Sequence, residues 1–242
     1  MIIFKYFRWN EFAKRLFSDG ELFFSSPQAT NDPYEYQADI VFNGPSVVKT
    51  IKSLPDEIRE PLIAKCKASK DHTQPIFDAH KQEIFKYGIC SFTHSYNSQL
   101  MWAHYAEQHQ GICIGFETDL LKDDNVEFRD INYRLVPPVV HVFGNEEEQI
   151  QQVSSKYIEW SYEKEIRAIR KFEEVLSVND DRRKWVINKE AIHYVLLGFK
   201  VSLERSREIS TYYHEGGLKA RVYHMSPNSS DGGYGLYPLK IY

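Results

Sequence analysis

The stretch Tyr87-Gly-Ile-Cys-Ser-Phe-Thr-His-Ser-Tyr-Asn-Ser-Gln-Leu-Met-Trp-Ala-His-Tyr-Ala-Glu-Gln-His-Gln-Gly-Ile-Cys-Ile-Gly-Phe116 decides how the chain folds. It reads as strand, turn, helix, turn, strand. Ile89 to Thr93 is short and apolar-biased, as a strand is. Asn97 or Ser98 caps the helix, because a short side-chain oxygen accepts an otherwise unpaired backbone N–H. Leu100 to Gln108 contains no Gly or Pro, and Gly111 is the expected stop. Ile112, Ile114 and Phe116 then alternate with Cys113 and Gly115 at strand spacing. On the helix, Trp102, Tyr105 and His109 share one face, and Met101, His104 and Tyr105 an adjoining one. Such residues usually pack a core. Crowded together, their apolar bodies and polar tips also suit the wall of a ligand pocket.

Outward from this centre, the chain reads as alternating strands and helices. Ile2 to Phe7 is a strand; Asn10 caps a helix with apolar face Phe12, Leu16 and Phe17, stopped at Gly20; Leu22 to Ser25 is a second strand. The prolines and the Asn31-Asp32 pair mark residues 26–35 as a loop. Residues 46–86 form amphipathic helices divided at Pro55, Pro61 and Pro75, with His72 and His80 in solvent. Val126 to Tyr133 alternates as a strand, and Glu146 to Ile158 is a polar helix with an acidic first turn. Ile192 to Phe199 is a strand and Ser202 to His214 a helix; Lys219 to Met225 and Leu236 to Tyr242 are strands. The whole of 1–242 is expected to be one α+β domain, with a bent or split mixed sheet, surrounding helices and a helical insertion at 46–86.

Composition narrows the classes. Aromatic residues make up 14% of the chain, against disorder, and a net charge of −4 gives no sign of non-specific nucleic-acid binding. Cys66, Cys90 and Cys113 form no CxxC pair, which points to a reducing compartment and away from disulfides or zinc. No apolar run reaches the roughly 20 residues needed to cross a bilayer, so no membrane role is expected. The N-terminus has no signal-peptide order, and the expected location is the cytoplasm.

A second chemical stretch is Trp160-Ser-Tyr-Glu-Lys-Glu-Ile-Arg167. As a strand it puts Glu163, Glu165 and Arg167 on one side; as a helix it makes an exposed ladder of Glu159, Glu163 and Arg167. On the strand reading, two carboxylates and a guanidinium line one face, an arrangement that perturbs pKa values and holds polar ligands.

Three motifs together carry a resemblance. They are Gly20-Glu-Leu-Phe-Phe-Ser-Ser-Pro27 with Asn31-Asp-Pro-Tyr-Glu35, then Ser91-Phe92 with Met101-Trp-Ala-His-Tyr-Ala106 and Gly111-Ile-Cys-Ile-Gly-Phe116, then Trp160 to Arg167. Their order resembles the bacterial DUF2971 family, which implies kinship rather than an activity. The layout is also similar to that of NAD-dependent ADP-ribosyltransferases. That resemblance implies a cation from the first strand (Lys5 or Arg8), a mid-chain motif (Ser91, His104, Tyr105) and a late-strand glutamate (Glu163 or Glu165). The chain departs from that layout in having no Arg or His in the first strand and no Ser-Thr-Ser strand. It implies NAD as substrate, an unspecified acceptor, and Glu165, Glu163, His104 and Tyr105 as the catalytic set. Lys5, Tyr6, Arg8, Ser91, Trp102, Arg167, Asn31, Asp32 and Glu35 would bind the nucleotide. Glu165 would stabilise the ribosyl cation, so Glu165→Gln is expected to end turnover with little change in melting temperature. Two rival readings stand beside it. One is a metal-dependent hydrolase or nuclease using Asp32, Glu35, Glu163, Glu165 and His104. The other is a non-enzymatic binding module in which the Asn-Asp-Pro loop only shapes the fold.

Overall fold

A computed structural model describes residues 1–30, 32–41, 44–68, 71, 73–142, 144–228 and 235–240. The N-terminal strand β1 (Ile2–Phe7) leads into α1 (Glu11–Asp19). The Asn10 side chain accepts the N–H groups of Phe12 and Ala13, and Gly20 ends the helix in the left-handed conformation (φ 71°). The helix buries Ala13, Leu16 and Phe17, whereas Phe12 is exposed beside Phe23. Next come β2 (Glu21–Phe23) and β3 (Asp39–Val41), then three helices, α2 (Gly44–Ser53), α3 (Asp56–Ala68) and α4 (Gln74–Phe85). Pro55 and Pro75 fall at helix boundaries, but Pro61 lies inside α3, which gives up one backbone bond there. His80 is buried rather than solvated, because its ring bonds Gln152 at 3.1 Å and the Gln152 amide donates to the Tyr36 carbonyl. His72 lies outside the described residues.

The central stretch forms β4 (Tyr87–Thr93), α5 (Gln99–Tyr105) and β5 (Ile112–Glu117). Ser98 caps α5. The helix ends six residues before Gly111, since Glu107, Gln108 and His109 all take left-handed backbone angles (φ 50°, 53° and 71°). That reversal folds the His109 ring back onto Trp102, 6.5 Å away and nearly parallel. Gly111 serves packing instead: a Cβ there would sit 2.2 Å from the Phe7 carbonyl oxygen.

Beyond it lie β6 (Glu127–Asp130), β7 (Asn132–Arg134), β8 (Val139–His141) and α6 (Glu146–Val153), capped by Asn145. The helix expected to run to Ile158 stops at Val153. It gives way to β9 (Ser155–Tyr157) and a 3₁₀ segment, Ile158–Glu163. Then follow β10 (Glu165–Lys171), β11 (Lys184–Val186), β12 (Ile192–Leu197), α7 (Leu203–Glu215), β13 (Arg221–Asn228) and β14 (Gly235–Lys240).

Eight strands make a mixed sheet in the order β14-β13-β12-β5-β1-β4-β10-β6. Only the β12–β13 pair is parallel, with α7 as its crossover; the other neighbours are antiparallel. Three two-stranded pieces flank it, β11–β2, β3–β8 and β7–β9. The α+β class and the split in the sheet agree with the sequence reading. The split falls between β1 and β4, which share the single register pair Phe4↔Thr93. From there the strands part, and one half of the sheet leans on the other through that junction.

Alternation along β1 feeds two cores. Ile3 and Phe7 join Cys90, Phe92, Ile114 and Ile166 under α1 and α7. Phe4 and Tyr6 join Met101, Trp102, Cys113 and Leu196 on the opposite face. A smaller cluster unites Leu62 and Ile76 with Val142, seating the helical layer against β3 and β8. No helix among the described residues is long and apolar enough to cross a membrane.

Candidate functional site

Register places the site. Glu165 pairs with Thr93 and Arg167 with Ser91 across β10–β4, so all four belong to one face of the sheet, the face of Phe4 and Tyr6. Glu163 precedes the strand, in the 3₁₀ segment, rather than lying within it. Lys164 between the two glutamates is left-handed (φ 44°, ψ 49°), and this turn delivers both carboxylates to one point. Left-handed backbone at a residue with a side chain costs about 1–3 kcal/mol and concentrates at functional sites. Thr93 holds the turn: its hydroxyl donates to the Glu163 carbonyl at 2.5 Å.

Three carboxylates share two cations here. The Lys156 ammonium lies 2.6 Å from Glu163, 3.2 Å from Glu165 and 3.9 Å from Glu35. The Arg167 guanidinium bonds Glu165 through Nε at 2.8 Å and Nη2 at 3.2 Å, donates to the Val153 carbonyl at 2.6 Å, and pairs with Glu35. Arg167 has no exposed surface, and its guanidinium stacks 5.1 Å from the Tyr36 ring. Glu35 is also held by the Thr30 hydroxyl at 2.5 Å.

The arrangement splits the two neighbouring carboxylates in acidity. Burial opposes ionisation of Glu165, but Arg167 and then Lys156 outweigh it and hold its pKa down to about 2. For Glu163 burial wins, and Lys156 and the Tyr105 phenol only moderate an upward shift. The Tyr105 hydroxyl donates to Glu163 at 2.5 Å; burial, then that bond to the carboxylate, raises its own pKa. Tyr133 accepts the Glu165 N–H at 2.7 Å, and burial pushes its pKa to about 12. Lys156 stays a firm cation: its burial is more than offset by Glu165, Glu35 and Glu163.

Lys156, Glu163 and Glu165 floor a narrow cleft of about 90 Å³ walled by Phe4, Tyr6, Ser91, Thr93, Met101 and Tyr105. Lys5 and Tyr6 also border a wider space of about 240 Å³ along the parted β1, with Arg8, Asn10, Phe23 and Ser25. Lys5 belongs to the other face of β1; its ammonium crosses the split to the Ser91 carbonyl at 2.8 Å, between the Phe7 and Phe92 rings.

Of the residues expected from sequence, Glu35, Tyr105, Glu163, Glu165 and Arg167 meet directly, and Tyr6 and Ser91 line the same cleft. Arg167 pairs with Glu35 and Glu165, as expected for a buried cation. Others do not take part. Trp102 is fully buried, edge-on to Tyr6, with its indole N–H on the Tyr96 carbonyl, so it is core beneath the cleft. His104 is exposed beside Tyr162 on the outer surface. Asp32 builds the turn: one oxygen accepts the Tyr34 N–H, and the carbonyl accepts that of Glu35. Arg8 stands exposed at the wide mouth, and Asn31 lies outside the described residues. Lys156 is the member that sequence reasoning missed. Residues 155–157 pass for the end of α6, and only the Ser155-Lys156-Tyr157 alternation hints at a strand. Among the described residues, no group of three His, Cys, Asp or Glu side chains is placed to hold a metal ion. Glu35, Glu163 and Glu165, named for the metal reading, converge on Lys156 and Arg167 instead, and Asp32 stays in its turn.

The model of a family of proteins of unknown function, DUF2971, matches residues 101–168. Over that span the chain is similar to the DUF2971 family. The matched segment runs from α5 into β10, and so carries Tyr105, Lys156, Glu163, Glu165 and Arg167; Glu35 comes from outside it. No curated protein and no solved structure matches the chain.

Proposed function

We propose that the split between β1 and β4 binds NAD and that the chain cleaves its nicotinamide–ribose bond, passing ADP-ribose to an acceptor or to water. One observation carries the reading: two adjacent carboxylates, bridged by one lysine at the floor of a cleft, with acidities driven apart. Such divergence separates a fixed anion from a proton-transfer group.

The chemistry assigns roles. The bond from ribose C1′ to the nicotinamide nitrogen breaks, and its electron pair neutralises the pyridinium. Glu165, ionised at any ordinary pH, faces the cationic ribose. The acceptor's oxygen or nitrogen bonds C1′, and its proton passes to Glu163, whose raised pKa suits a base. Tyr105 and Phe4 wall the nicotinamide ring. The narrow cleft has room for one ring, and the wider space beside Lys5 and Arg8 suits the ADP half.

A second reading, a non-catalytic binding module, has its own support. Every charged member of the cluster is tied to another, as in networks that hold a fold. Incubation with NAD and chromatography of released nicotinamide decides between them. Release above the buffer rate, lost in Glu163→Gln, is expected. Release no faster than in buffer, with protein and nucleic-acid acceptors supplied, leaves the binding module.

A further inference from the structure

Behind the carboxylates stands the parallel β7–β9 ladder, in which Tyr133 opposes Lys156 and Arg134 opposes Tyr157. Alternation sends the two pairs to opposite sides. Tyr133 and Lys156 serve the carboxylates. Arg134 and Tyr157, with Gln37, Ser155 and part of Lys156, line a second cavity of about 420 Å³, closed by Tyr34 and the Leu135-Val136-Pro137-Pro138 loop.

The volume falls within the range of small-molecule sites, and the lining is apolar with a few polar groups, as those sites are. Tyr34 and Leu135 stay 70% and 76% exposed, large apolar surfaces left to water at one place. Arg134 is half-buried, yet its guanidinium has no hydrogen-bond or ion-pair partner among the described residues. Tyrosine rings take a planar aromatic group, and a free guanidinium takes a phosphate or carboxylate through paired N–H bonds.

We propose that this cavity is a second ligand site, for a planar aromatic ring carrying an anionic group, with the ring against Tyr34 and Tyr157 and the anion on Arg134. It shares only Lys156 with the cleft at the β1–β4 split, and its test involves no turnover, so its failure leaves the NAD reading untouched.

Calorimetric titration with AMP, 4-hydroxybenzoate and uncharged adenosine tests it. One of the two anions is expected to saturate the protein, and the better of them names phosphate or carboxylate as the group recognised. Arg134→Ala should weaken that anion at least tenfold and leave adenosine unchanged, while Tyr34→Ala weakens both. Neither side chain holds the fold, so both variants should melt as the wild type does; Arg134→Gln serves if Arg134→Ala does not. Arg8→Ala removes any AMP held at the β1–β4 split and should leave the Arg134-dependent binding in place. Absence of saturation by either anion, or loss of binding in Arg8→Ala instead of Arg134→Ala, overturns the proposal.

Discussion

Phe4 and Thr93 form the one register pair that joins the two halves of the large sheet. Thr93 does more than close the junction. Its hydroxyl donates to the Glu163 carbonyl and accepts the Ser95 N–H at 3.0 Å. Thr93→Val keeps the shape and strands both buried groups, at a cost of about 1–3 kcal/mol. Urea unfolding should register that loss. An unchanged midpoint would mean that Glu163 is held by something other than Thr93.

Arg167→Met removes the cation shared by Glu165 and Glu35, and breaking a buried pair from one side costs about 3–5 kcal/mol. Adding Glu35→Gln should return part of the loss, a coupling that a double-mutant cycle measures. Arg167→Lys should not restore the wild type, because an ammonium cannot reach Glu165, Glu35 and the Val153 carbonyl at once. By the same argument Glu165→Gln lowers the melting temperature, contrary to the sequence expectation, since Arg167 then loses a charged partner. Equal stabilities for wild type and Arg167→Met would remove the network from any account of the fold.

The two glutamates pull stability in opposite directions with pH. Glu165 is depressed, so its contribution is complete above the ordinary carboxylate pKa of about 4.3 and fades as pH falls towards about 2. Glu163 is raised, so its contribution is complete below the ordinary value and fades as pH rises through its folded pKa. Glu163→Gln abolishes the second effect alone. Relative to wild type, the variant should therefore gain stability between pH 4 and pH 8 in denaturant titrations. A constant gap would mean that Glu163 stays ionised throughout.

If Glu163 is the base, activity appears as it deprotonates, on a limb displaced above the usual carboxylate range. The Tyr105 hydrogen bond lowers the Glu163 pKa, so Tyr105→Phe should move the limb to still higher pH. Glu163→Gln should slow nicotinamide release by about 10²–10⁴-fold, the usual worth of a positioned base. A pH–rate profile unmoved by Tyr105→Phe would take Tyr105 out of the proton path.

Much of this was legible from local pattern. The strand–helix–strand opening, the Asn10 and Ser98 caps, the helical layer and the Glu165–Arg167 strand face all follow from spacing and capping chemistry. The losses share a cause, which is that burial is decided by partners remote in sequence. His80 looks like a surface histidine until Gln152 meets it, and Trp102 looks like a pocket wall until Tyr6 covers it. The left-handed run at residues 107–109 has no glycine to announce it, so Gly111 took the role of helix stop. Lys156 was invisible because its function depends on three glutamates from two other segments.

The place of β1 in the sheet sets an order of assembly. Strand β1 lies between β5 and β4, so its Ile2–Phe7 edges have no partner until residues 87–117 have been made. Synthesis at about 5–20 residues per second leaves that interval at several seconds or more, with Ile3, Phe4 and Phe7 unburied. The nascent chain thus carries β1 open to aggregation and to chaperone capture until the junction at Phe4 and Thr93 can close.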